Sequence, residues 1–129
     1  MTVNKERVEL LCQALESGEF EQGASYLLND GKYCCLGVAT EVALRYLGDI
    51  PDDVWNPTSR EEVLHPAIQE WYGFPDIDPD ILAGDVGDRE LSPATVVNDS
   101  RNVSGEHAYD FREIAAAFRR TYVDPEVSP

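Results

Sequence analysis

The chain has 129 residues, the size of one domain, and 43% of them are hydrophobic, enough to build a single core without disulfide or metal staples. Ten basic against twenty-five acidic side chains give a net charge of −15. That balance argues against direct nucleic-acid binding and against anionic membrane surfaces, because both need a basic face.

Three cysteines, Cys12, Cys34 and Cys35, are an odd number with two adjacent. They make a poor disulfide framework and read as reduced thiols. The amino-terminal stretch carries Lys5, Glu6, Arg7 and Glu9 and lacks a signal-peptide core. No run reaches the roughly 18 apolar residues of a membrane span. The expectation is a cytoplasmic protein that makes no membrane contact.

Along residues 4–17, Val8, Leu11, Cys12 and Leu15 fall at i, i+3, i+4 and i+7, one stripe of an amphipathic helix, and Gly18 is placed to end it. Residues 25–34 change pattern: Ser25-Tyr26-Leu27-Leu28, then Asn29-Asp30-Gly31 as a turn, then Lys32-Tyr33-Cys34, which predicts a short β-hairpin. From Cys35 the residues Leu36, Ala39, Val42, Ala43, Tyr46 and Leu47 return to helical spacing before Gly48, and Val38 widens the apolar face. This 36–47 segment is expected to be the central buried helix.

Residues 49–90 hold twelve acidic and two basic side chains, so −10 of the total charge sits in one third of the chain. Ser59 with Glu62 has the form of a capping box. Pro66 can begin a helix carrying Ile68, Trp71 and Tyr72 before Gly73. Residues 74–91 show little periodicity and read as an acidic irregular loop. Thr95-Val96-Val97 stays open between helix and strand, and residues 98–105 read as turn. Asp110 with Glu113 is another capping box, and Phe111, Ile114, Ala115, Phe118 and Tyr122 form the stripe of the last helix. The expected architecture is α+β and mainly helical: one globular domain over residues 1–123, with a central buried helix, amino- and carboxy-terminal packing helices, a short hairpin and a frayed 124–129 tail.

Candidate chemistry concentrates in a few places. Cys34 and Cys35 fall where a strand runs into a helix, a position that favours a thiolate. Cys35 is therefore a candidate nucleophile and His107 a candidate base, set against the plainer reading of core cysteines. Cysteine and histidine spacings do not fit zinc. The run Asp76-Ile77-Asp78-Pro79-Asp80 begins like a calcium loop, but Ile81 replaces the required glycine and Gly87 the closing glutamate. No metal and no cofactor is expected. Asp76, Asp78, Asp80, Asp85 and Asp88, with Trp55 and Trp71 flanking the acidic region, are candidate binding residues for a basic partner.

In order along the chain stand Gln22-Gly23, the block Gly31-Lys32-Tyr33-Cys34-Cys35-Leu36-Gly37-Val38, a tryptophan-containing middle, Asn98-Asp99 and the closing Phe111-x-x-Ile114-Ala115. In this order the chain resembles small uncharacterised proteins of actinobacterial tailed phages and prophages that share a G-x-Y-C-C-L-G-V core block. The resemblance implies a protein of the bacterial host cytoplasm and brings no settled activity; the acidic stretch from Asp76 to Asp88 departs from it. The leading functional expectation is a non-enzymatic accessory protein that engages a host protein with a basic surface through residues 49–90. The alternative is a small-molecule pocket or cysteine-dependent hydrolase built from Gln22, Tyr33, Cys35 and Asn98.

Overall fold

The first helix starts where the sequence supplies a cap. Asn4 accepts a hydrogen bond from the Arg7 N–H at 3.1 Å, and α1 (Lys5–Glu16) buries Val8, Leu11, Cys12 and Leu15, the expected stripe. This computed structural model describes residues 3–24, 26–29, 31–47, 62–84, 87 and 89–123. Trp55, Asp85, Asp88, Ser59, Gly48 and the 124–129 tail lie outside them.

The hairpin is two residues per strand: β1 (Leu28–Asn29) pairs antiparallel with β2 (Lys32–Tyr33). It leads into α2 (Cys35–Leu44), in which Cys35, Leu36, Gly37, Val38, Ala39, Thr40, Val42 and Ala43 are all buried. The helix stops short of the expected Leu47, and Tyr46, expected on its apolar stripe, is 60% exposed. Gly37 is required at its position: a Cβ there would lie 1.8 Å from the Leu27 carbonyl oxygen. The hairpin backbone therefore rests directly on the α2 surface, and only a hydrogen side chain leaves room for it.

The helix α3 (Pro66–Tyr72) has Pro66 at its first position, the His65 ring accepting from the Ala67 N–H at 3.0 Å, and a left-handed Gly73 as its stop. Beyond it the structure corrects the sequence reading of 74–91. Phe74 is fully buried and stacks on Tyr72 with ring centroids 5.0 Å apart. Residues 80–93 contain a second antiparallel pair, β3 (Asp80–Ala83) and β4 (Glu90–Pro93), with Ile81 opposite Ser92 and Ala83 opposite Glu90. Four-residue strands give too few alternations to register as a period, yet Ile81 and Ala83 do face the core.

The undecided segment is helical: α4 (Ala94–Asp99) follows β4 directly, so Asn98 and Asp99 close a helix rather than open a turn. The last helix, α5 (Phe111–Phe118), begins at the predicted Asp110–Glu113 capping box and widens into a π-helical turn, Arg119–Val123. That turn grips β3. Arg120 Nε and Nη2 donate to the Leu82 carbonyl at 3.2 and 2.8 Å, Thr121 Oγ1 accepts from the Leu82 N–H at 2.8 Å, and the Tyr122 hydroxyl donates to the Asp80 carbonyl.

The elements make a compact, mainly helical α+β domain. α1 lies against α5 and α2, and α3 and α4 cover other sides of α2. The carboxy-terminal helix reaches the core chiefly along α1, and α4 takes the flank of the central helix expected for it. One core cluster links all five helices and β3, with Tyr72, Phe74 and Phe118 as its largest fully buried side chains. Each such aromatic contributes about 1.5–3 kcal/mol by burial.

Across the α1–α5 seam, Arg119 forks onto two carboxylates. Its Nε and Nη2 meet Glu9 at 2.9 and 2.8 Å, and its Nη1 and Nη2 meet Glu16 at 2.6 and 2.8 Å. The guanidinium holds both carboxyls below the ordinary range. A lowered folded-state pKa stabilises above the unfolded carboxyl value, about 4.3, and that contribution is lost as pH falls through the folded value. Arg119→Met is therefore expected to lower the melting temperature at pH 7 and to differ little from the parent near pH 3; an equal deficit at both would show that the ion pair is not responsible. Gly37→Ala is expected to cost at least about 2 kcal/mol in urea unfolding, since backbone must move to admit the methyl.

Candidate functional site

The buried polar centre of the fold is the side chain of Asn98, at 0% exposure. α4 packs on α2, which brings this amide to the α2 amino terminus. Cys34, the residue capping α2, makes no side-chain cap. Asn98 provides one from a distance: its Oδ1 accepts from the Cys35 N–H at 3.1 Å and from Gln22 Nε2 at 3.3 Å. Its Nδ2 donates to the Gly23 carbonyl at 2.9 Å and to Asp99 Oδ1 at 3.0 Å. Both lone pairs and both protons are in use.

Gln22 extends the network by donating to the Tyr109 carbonyl at 2.9 Å, and Tyr33 joins through a main-chain bridge with Gln22. The four residues expected to line an alternative pocket, Gln22, Tyr33, Cys35 and Asn98, thus do come together. Gln22, Asn98 and the Cys35 main chain join in one hydrogen-bonded network, in which Asn98 supplies the acceptor that the buried helix terminus needs.

The same burial favours the plainer reading of Cys35, a core cysteine, over a nucleophile. Its Sγ points to the Ala94 carbonyl at 3.6 Å, the residue is fully buried, and burial pushes the thiol well above its ordinary value. Burial likewise pushes Cys34 up to about 12, and Cys12 up to about 12 where its thiol donates to the Ala115 carbonyl at 3.4 Å. Desolvation outweighs the helix terminus that would favour a thiolate. His107, the candidate base, places Nδ1 2.9 Å from the main-chain oxygen of Asn98, an arrangement that ties the segment after α4 back to the helix.

The acidic candidates separate by role. Asp76 is exposed and its Oδ1 accepts from the Asp78 N–H at 3.4 Å, and Asp80 is exposed on β3. Asp78 is occupied: its Oδ1 accepts from the Thr95 N–H at 3.0 Å and its Oδ2 from the Thr95 hydroxyl, so it caps α4 across the chain. Trp71 is half-buried, stacked on Tyr46 at 5.8 Å, with the Arg7 guanidinium 4.6 Å from its ring centre. Its cation–π partner in this structure comes from the chain itself. Trp55, Asp85 and Asp88 lie outside the described residues.

Among the described residues, no three His, Cys, Asp or Glu gather into a metal-holding group, and no helix is long and apolar enough to cross a membrane. Two structural roles carried no sequence signal of their own, the remote caps from Asn98 and Asp78. Gly37 did carry one, a glycine inside an otherwise helical pattern. Asn98→Leu would leave the Cys35 N–H and the Gly23 carbonyl buried without partners. It is expected to lower stability by about 2–4 kcal/mol in urea unfolding, and a loss below about 0.5 kcal/mol would show the network to be dispensable.

Comparisons with curated proteins and with solved structures returned no match. A family described as a domain of unknown function, DUF8296, matches residues 3–121, a span that takes in α1 and all of α5. Over nearly its whole length, then, the chain belongs to the DUF8296 family.

Proposed function

We propose that this protein is a non-enzymatic binding protein whose acidic face, within residues 49–90, engages a basic surface on a host macromolecule. Following the resemblance to actinobacterial phage proteins, the partner is a host protein in the bacterial cytoplasm, and a nucleic-acid-binding protein is the kind whose basic face such a surface would occupy in competition with phosphate.

The observation that carries this reading is the use of the cations. Arg119 is held by Glu9 and Glu16, Arg45 pairs with Glu19, and Lys32 lies 3.9 Å from Glu21. Arg7 covers Trp71 and donates to its carbonyl at 2.8 Å, and Arg120 is turned to the Leu82 carbonyl. With these positive charges engaged internally, the net −15 is expressed outward through carboxylates such as the exposed Glu70, Asp76, Asp80 and Glu90. A field of one sign steers an oppositely charged partner and weakens with salt.

The test is capture from actinobacterial host lysate on the immobilised protein, followed by elution from about 0.1 M to about 1 M salt. A basic protein released by salt is expected. A variant carrying Asp76→Asn, Asp80→Asn, Asp85→Asn and Asp88→Asn is expected to capture less of it; Asp78 is left intact because it caps α4. Equal capture by that variant, or capture insensitive to salt, would reject the reading.

A further inference from the structure

The second hairpin and α4 enclose an open cavity of about 230 Å³. Strand alternation sends Glu90 and Ser92 to one face of β4, and Val96 on α4 stands four residues before Ser100, the residue that ends that helix. These four, with Ala83 and Tyr109, border the space. Its volume is several times the ~30 Å³ share of one water, so it has room for a side chain rather than a single solvent molecule.

We infer that this cavity receives an arginine side chain of the basic partner, an inference that rests on the acidic-surface reading above and names its anchor point. Glu90 brings a carboxylate, and it stands directly across from Ala83 in the β3–β4 register. Ser100 presents acceptor lone pairs, because its hydroxyl proton is committed to the Val96 carbonyl at 2.6 Å. Tyr109 is the aromatic residue of the lining, and Val96, 53% exposed, is an apolar shoulder at the mouth.

A guanidinium on a three-carbon stem matches this set. Its planar fork pairs with a carboxylate, its remaining N–H groups donate to hydroxyl oxygens, and its methylenes lie along an apolar shoulder. A lysine ammonium would meet the carboxylate but lacks the fork. A neutral aliphatic chain would desolvate Glu90 with no compensating charge, and an anion would be opposed by the −15 of the whole chain.

The experiment is an amide-resolved NMR titration of the full chain with N-acetyl-arginine amide, and with N-acetyl-norleucine amide as the uncharged counterpart. The arginine probe is expected to shift signals of Glu90, Val96, Ser100 and Tyr109 together, and Glu90→Gln to weaken it about three- to fivefold, the range of a solvent-accessible ion pair. No localised shift, equal response to the norleucine probe, or unchanged affinity in Glu90→Gln would each overturn the assignment. Ser92→Ala serves as a second variant if Glu90→Gln folds poorly, with a smaller loss expected and no loss counting against the site. The readout needs no partner, so a negative titration removes the anchor while salt-sensitive capture still stands, and failed capture removes the wider reading whatever the titration gives.

Discussion

A single carboxamide decides whether the pieces of this fold can meet. The amino terminus of α2 is buried, and a buried helix terminus exposes main-chain N–H groups that need acceptors. Asn98 meets the Cys35 N–H and, through its other atoms, fastens Gly23, Gln22 and Asp99. Gln22 carries the connection to Tyr109, just ahead of α5. The hairpin can then lie flat on α2, where Gly37 admits the Leu27 carbonyl. The conspicuous Cys34-Cys35-Leu36-Gly37 block is in this light a packing solution: two small apolar thiols, a core leucine and a glycine that yields to backbone.

What could be read in the sequence was local. The α1 stripe, Pro66 and Gly73 bounding α3, and the Asp110–Glu113 box are signals written within a few residues, and each element formed where its signal stood. What could not be read depended on distant partners. Asn98 looks like a turn residue until α4 is placed against α2, and Asp78 looks like part of an acidic loop until Thr95 arrives beside it. The thiol at a helix terminus resembles an activated cysteine because position is visible in sequence and burial is not. β3 and β4 were too short to show alternation, and their pairing supplied what their length lacked.

Charge follows a similar division. Several of the basic side chains are structural: Arg119 joins α1 to α5, Arg7 rests on an aromatic ring and Arg120 on a carbonyl. The acidic ones fall into two populations: Glu9, Glu16 and Asp78 fasten elements, whereas Asp76, Asp80 and Glu90 face outward. Fold and surface field are therefore carried by different carboxylates, and the outward set can change without loosening the core.

A two-stranded sheet has two open edges, and open edges recruit foreign strands. In β3 the outward-facing N–H and carbonyl of Leu82 are already taken by Thr121 and Arg120, two side chains of the π-helical turn that stand in for a third strand. The widened turn is what brings consecutive residues of the helix end onto one strand. The carboxy-terminal helix thereby shields the apolar strand segment Ile81-Leu82-Ala83 from pairing with another chain. Its last turn is a guard against self-association as much as a piece of the core.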